Sequence, residues 1–267
     1  MNVSRNNTET VEYWIDRVAR LEVRIQKNVA WRDDVEDRFD RRVMAGSVTF
    51  HETFNLTSAL YSSGAPMPEV VAAAQRLLLD AYPRFVALCR EAPDYARGAY
   101  GGGWDFRTRY LAMAVLCRLP PAQNLPLVEA IDFWPERDAV WERFIAALGH
   151  GAGRPGVTSL VWPQAYAPLL EAMDPEGTEL TRLAALRLFL NGWLKQMRVS
   201  TNPFYSNEKN KNNTYVGHWC FEAAAAALAF GIDDTILRDH EHYPADWADW
   251  ARRSEEHTSE LQSPCNL

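Results

Sequence analysis

Apolar residues recur at three- and four-residue spacing along most of this chain, and the elements that pattern predicts are helices. Residues 8–43 read as one long helix. Trp14, Val18, Leu21, Ile25 and Val29 form a single apolar stripe on a charged rod, with Thr8 or Thr10 as N-cap. A shorter helix is predicted over Val48–Tyr61, closed by Ser62-Ser63-Gly64-Ala65-Pro66. Pro68 suits the first turn of a third helix, whose stripe is Val71, Ala74, Leu78, Ala81 and Phe85; Pro83 predicts a kink within it. Trp104–Leu119 is apolar nearly all round and belongs in a core. Two short helices follow over Asn124–Ile131 and Glu136–Leu148. Beyond a Gly-rich connector at 149–155, helices are predicted over Pro163–Met173, Glu179–Gln196 and Tyr215–Phe230. Leu180, Leu183, Leu186, Leu190 and Leu194 mark the inner side of the second of these. Gly231 is a stop signal for the third. Residues 201–213 are polar and Asn-rich and read as a surface loop, and Ile232–Arg252 holds a short helix with a Trp-rich end. Only Gly156–Trp162 alternates with period two. The predicted class is all-α, a bundle of two packed parts with a long N-terminal helix. The parts are an N-terminal helical domain over 1–148 and a C-terminal one over 156–252.

The tail from Arg253 to Leu267 stands apart. Arg253 to about Ser263 resembles the translation of a common sequencing adapter, so 253–267 is set aside from fold reasoning and expected to be disordered. Its removal takes away one arginine and three glutamates, and the net charge moves from −7 to −5. Cys265 goes with it, leaving Cys89, Cys117 and Cys220 as isolated, buried small hydrophobes.

Composition narrows the class. With 47% apolar residues the chain is not intrinsically disordered, and four cysteines in 267 residues do not make a disulfide scaffold. The longest apolar runs, Leu111–Cys117 and Ala223–Phe230, fall far short of the roughly 20 residues that cross a bilayer. The N-terminal residues lack the apolar core of a signal peptide. A cytoplasmic protein that binds neither membrane nor nucleic acid is the expectation, the latter because an isoelectric point near 5.4 is poorly suited to phosphate contacts.

Candidate chemistry is sparse. Gly101-Gly102-Gly103 has no following Gly-Lys-Ser/Thr and reads as a loop. In His240-Glu241-His242 the two histidines are at i and i+2 with no third ligand nearby, so no metal or cofactor site is expected. Glu222, among Trp219, Phe221 and five alanines, is a carboxylate in apolar surroundings, and burial raises the pKa of an unpaired one. It suits a structural ion pair or a helix cap; the alternative is a helical enzyme using Glu222 with His218, and a third reading is a non-catalytic adaptor. Charge patterning is more informative. Asp233, Asp234, Asp239, Glu241, Asp246 and Asp249 face only Arg238 within their stretch, a local balance of −5, with Tyr243, Trp247 and Trp250 interleaved. Such a stretch is either a solvated surface or an acidic recognition patch for a basic partner.

Tyr215-Val216-Gly217-His218-Trp219-Cys220-Phe221-Glu222-Ala223-Ala224-Ala225, followed by Gly231-Ile232-Asp233-Asp234, Leu237-Arg238-Asp239-His240 and Tyr243-Pro244, resembles the C-terminal signature of the PoNi immunity family. Tyr61–Pro66, the Tyr110-Leu111 helix and Trp141–Leu148 are similar to that family's N-terminal part, and the resemblance spans roughly residues 8–250. His218 departs from the aromatic the family usually carries, and Ala245-Asp246-Trp247 departs from its Tyr-Asp-Leu; both changes bear on which toxin variant is recognised. The resemblance implies an all-helical, non-catalytic immunity protein. Its partner would be a cognate PoNe-type nuclease toxin delivered by type VI secretion or related systems. Asp233, Asp234, Asp239, Glu241 and Asp246 are the expected toxin-binding residues, from charge density. Tyr215, Gly217, Trp219, Phe221, Glu222, Tyr243 and Pro244 are the signature residues, and Tyr215, Trp219, Ala223 and Ala226 would form one structural face of a helix.

Overall fold

The computed structural model describes residues 4–6, 8–34, 36, 38–94, 96, 104–152, 154, 156–198 and 214–262, with backbone alone for 104, 105 and 255–262. The Gly101–Gly103 run, the 201–213 loop, Cys265 and two residues of the 149–155 connector lie outside the described residues. The main helices are α1 (Val11–Asp33), α2 (Phe39–Ser62), α3 (Met67–Arg76), α4 (Tyr82–Glu91), α5 (Trp104–Leu116), α6 (Pro121–Asp132), α7 (Ala139–Ile145), α8 (Pro163–Ala172), α9 (Glu179–Met197), α10 (Phe221–Ala229) and α11 (Ala245–Gln262). Among the described residues there is no strand, and the period-two run at 156–162 is irregular chain. The protein is all-α.

Two compact units are built from interleaved segments. The first takes Met1–Arg107, Ala122–Glu136 and Ser200–His218, the second Thr108–Pro121, Arg137–Val199 and Trp219–Leu267. A division at 149–155 is therefore not the one the packing follows.

In the first unit α1 packs along α2, and α2 also meets α3 and α4. Thr10 caps α1 by accepting the Tyr13 N–H at 3.2 Å. The single helix predicted over 8–43 is two. Asp33 and Asp34 place negative charge at a helix C-terminus, where the dipole disfavours it, and Asp34 turns extended at ψ 99°. The Arg32 guanidinium meets Asp33 there at 2.7 and 3.0 Å. α2 extends the predicted 48–61 helix back to Phe39 and buries polar residues. Thr49, Thr53 and Thr57 each donate a hydroxyl hydrogen bond to the carbonyl four residues back, at 2.7, 2.7 and 2.9 Å. The kink foreseen from Pro83 is a five-residue π-turn, Leu77–Ala81, in which the Tyr82 N–H reaches back to the Leu77 carbonyl.

Trp14, Leu21 and Ile25 of α1 form a core with Leu56, Ala59, Tyr215 and Val216; full burial of one such side chain stabilises by about 1.5–3 kcal/mol. Residues 214–220 are irregular, non-helical chain, so the helix predicted over 215–230 shortens to α10, and Tyr215 and Trp219 do not share a helical face with Ala223. The cause lies in the backbone and its partners. Gly217 sits at φ +90°, a conformation that favours glycine. The Thr214, Tyr215 and Val216 carbonyls accept from Arg17 at 3.3 Å, the Tyr13 hydroxyl at 2.8 Å and the Ser62 hydroxyl at 2.8 Å. Those side-chain bonds replace the ladder of a helix.

In the second unit α9 packs on α8, and α10 on α11, α9 and α8. The part of α5 from Thr108 to Leu116 is buried on every side, as its sequence predicts. Asp138 caps α7 by accepting the Val140 N–H at 2.8 Å, and Thr178 caps α9 through the Thr181 N–H at 3.2 Å. The inner face of α9 is Ala185, Leu186, Phe189, Leu190, Trp193 and Met197, whereas Leu180 of the predicted stripe is 77% exposed. α11 runs on to Gln262, so the tail expected to be disordered has helical backbone over 253–262. No glycine or proline interrupts the sequence between Pro244 and Pro264.

Candidate functional site

The acidic stretch follows directly from the end of α10. Gly231, at φ +63°, lets the chain turn out of the helix, and the Ile232 N–H bonds the Ala227 carbonyl at 2.9 Å, a Schellman closure with Ile232 buried. Asp233 then caps a 3₁₀ turn over Thr235–Leu237 by accepting the Thr235 N–H at 3.0 Å and its hydroxyl at 2.5 Å. These two bonds hold the Asp233 carboxyl below the usual range.

The neighbouring Asp234 faces inward. It is 4% exposed and accepts the Tyr243 hydroxyl hydrogen bond. Arg252 lies 2.9 Å from the same oxygen and Arg238 3.5 Å from the other. Both guanidinium groups also pair with Asp249, Arg252 at 3.6 Å. Burial, and then the Asp234 charge, push the Tyr243 hydroxyl pKa upward. The Tyr243-Pro244 corner thus ties the turn after α10 to the start of α11, where Trp247 and Ala248 N–H groups bond the Pro244 carbonyl at 3.1 and 3.2 Å. Asp234, expected at a toxin contact, is instead buried within this ionic knot. Arg252 is the cation that sequence reasoning missed, because it lies just beyond the acidic window; its i, i+3 spacing from Asp249 was the available signal.

Four of the expected residues remain outside: Asp233, Asp239, Glu241 and Asp246 are all exposed. Glu241 lies 3.7 Å from the half-buried His242 imidazole. His240 is partly buried, which lowers its pKa, and its Nδ1 accepts the His242 N–H at 3.2 Å. Among the described residues no three His, Cys, Asp or Glu side chains converge as metal ligands.

The signature residues are buried. Trp219, Phe221 and Glu222 lie inside the second unit, where Phe221 meets Trp247 edge-on at 5.2 Å and the Cys220 N–H bonds the His242 carbonyl at 2.8 Å. Glu222 is fully buried, and its carboxylate lies 3.6 Å from the equally buried Arg109 guanidinium. Arg109 in turn sits over the Trp193 ring at 5.9 Å. The structural ion pair weighed for Glu222 is present, with a partner that sequence reasoning did not name; an arginine in an otherwise apolar helix was its signal. Tyr215 and Gly217 belong to the first unit, where the buried His218 meets Tyr215 edge-on at 5.1 Å.

Fold and site together define an all-helical protein whose exposed acidic turn rests on a buried ionic knot. Residues 136–247 match the family model for the C-terminal region of the PoNe immunity proteins (PoNi). The match spans both the signature after Gly217 and the acidic turn. The crystal structure of protein PA2201 from Pseudomonas aeruginosa is similar with a TM-score of 0.69 and 17% identity, covering 95% of this chain and 92% of that one, which shows a shared fold. No curated protein matches the sequence.

Proposed function

We propose that the chain is an immunity protein that binds a cognate secreted DNase toxin and blocks its active site or DNA channel, protecting the producing bacterium and its kin. The observation that carries this reading is the family match over 136–247, a family of immunity proteins to PoNe nucleases. Asp233, Asp239, Glu241 and Asp246 supply the chemistry. A nuclease must hold a polyanion, so its working surface is basic, and exposed carboxylates imitate phosphates there. They speed encounter and set specificity, while apolar side chains at the contact carry affinity. The protein works without catalysis, in the cytoplasm, against a toxin delivered by type VI secretion or a related system. Among the described residues no helix is long and apolar enough to cross a membrane, which fits this role.

The test is co-expression with PoNe-type nuclease toxins. Rescue of growth and co-purification of the two proteins are the expected results. Absence of both overturns the reading.

A further inference from the structure

α1 buries one apolar stripe and leaves two further apolar residues exposed beside it. Trp14, Leu21 and Ile25 are buried in the first unit's core. Val11 and Ile15, one turn apart, are 54% and 67% exposed, and the half-buried Val18 continues their row. They form one wall of a groove of about 640 Å³, whose other wall is Leu60, Ser63, Ala65 and Pro66 from the end of α2 and the turn after it. From Val11 to Glu22 the groove follows α1 for about 16 Å at 1.5 Å per residue, about three helical turns.

The charged side chains that line this groove, among the described residues, are carboxylates, while the Arg5 guanidinium beside it is taken up by the Tyr61 and Ala65 carbonyls at 3.1 and 2.9 Å. Glu22 and Glu69 line it, and no lysine or arginine does. Both glutamates are exposed, and neither takes part in an ion pair among the described residues. An apolar channel with an acidic rim is complementary to an amphipathic helix that presents apolar residues at i, i+4 and i+7 between lysines or arginines.

We infer that this groove is a second docking surface of the immunity protein, and that its occupant is a basic-flanked amphipathic helix of the nuclease toxin. This rests on the function proposed above, and adds an apolar contact on the first unit to the acidic turn on the second. The apolar stripe supplies affinity and the glutamates supply orientation.

Two probes separate the groove from the toxin. The first is a synthetic 14-residue leucine–lysine amphipathic helix, with its leucine–glutamate counterpart as control, titrated against the full chain. The lysine peptide is expected to bind, and V11S/I15S, which removes apolar surface without adding charge, to weaken it at least tenfold with an unchanged Tm, since both side chains are exposed. E22K/E69K should transfer the preference to the glutamate peptide. Equal binding to the wild type and V11S/I15S, or no binding, overturns the proposal, as does a concentration-dependent dimer that V11S/I15S abolishes, which gives the groove to a second copy. The second probe is a PoNe-type nuclease toxin. Capture by the wild type and at least tenfold weaker capture by V11S/I15S support the groove. Equal capture by both overturns the groove and leaves nuclease inhibition standing. No capture by the wild type overturns nuclease inhibition, and with it the toxin as occupant.

Discussion

From Tyr215 to Ala227 every residue is buried, while from Asp233 to Asp246 four carboxylates stand in solvent. The two stretches are separated by one turn of chain, yet one is packed inside and the other carries its carboxylates at the surface. The most distinctive run of letters, Tyr-Val-Gly-His-Trp-Cys-Phe-Glu, works through an irregular segment served by side chains in the first unit and through a buried ion pair in the second. The division also runs between adjacent residues. Asp233 caps a turn on the surface, and Asp234 is locked between Tyr243, Arg238 and Arg252. Charge density therefore marks the acidic stretch, and burial decides which of its carboxylates reach solvent.

The sharpest way to break this contrast is at Glu222. Glu222→Ala leaves the Arg109 charge buried without its carboxylate and should cost about 3–5 kcal/mol, read from denaturant unfolding. Replacing both partners together, Arg109→Met with Glu222→Leu, should restore much of that loss. Asp234→Ala comes next. It leaves the Tyr243 hydroxyl and two guanidinium groups without their common acceptor and should lower stability by about 2–3 kcal/mol. Asp233→Ala, one residue away and exposed, should lower stability far less than Asp234→Ala in the same assay. Gly217→Ala forces a side chain into φ +90° and should destabilise by more than about 1 kcal/mol in the same assay.

The smallest effect is electrostatic. The Thr235 bonds lower the Asp233 pKa in the folded state. Its contribution to stability is therefore present above the unfolded value of about 3.9 and is lost as pH falls through the folded value. An NMR titration should place the Asp233 midpoint below that of an ordinary aspartate, and Thr235→Ala should return it upward. A midpoint unmoved by Thr235→Ala would contradict the cap.

Helical periodicity made most of this fold legible, because caps such as Thr10 and stops such as Gly231 act within a few residues. The break after Asp33 was hidden by an unbroken charged pattern. The non-helical 214–220 segment was hidden because its carbonyls bond side chains of α1 and α2, distant in sequence. The same distance concealed Arg109 as the partner of Glu222. Within the acidic stretch, sequence located the patch but could not tell Asp234 from Asp233, since only the fold brings Tyr243 and Arg252 onto one of them.

The exposed carboxylates carry the account's central claim, and association kinetics with the cognate nuclease tests it most directly. The variant D233N/D239N/E241Q/D246N leaves Asp234 and its knot intact. The account predicts an unchanged Tm within a few degrees, association at least tenfold slower at low salt, and loss of most of the ionic-strength dependence. Association as fast and as salt-sensitive as that of the wild type would contradict it.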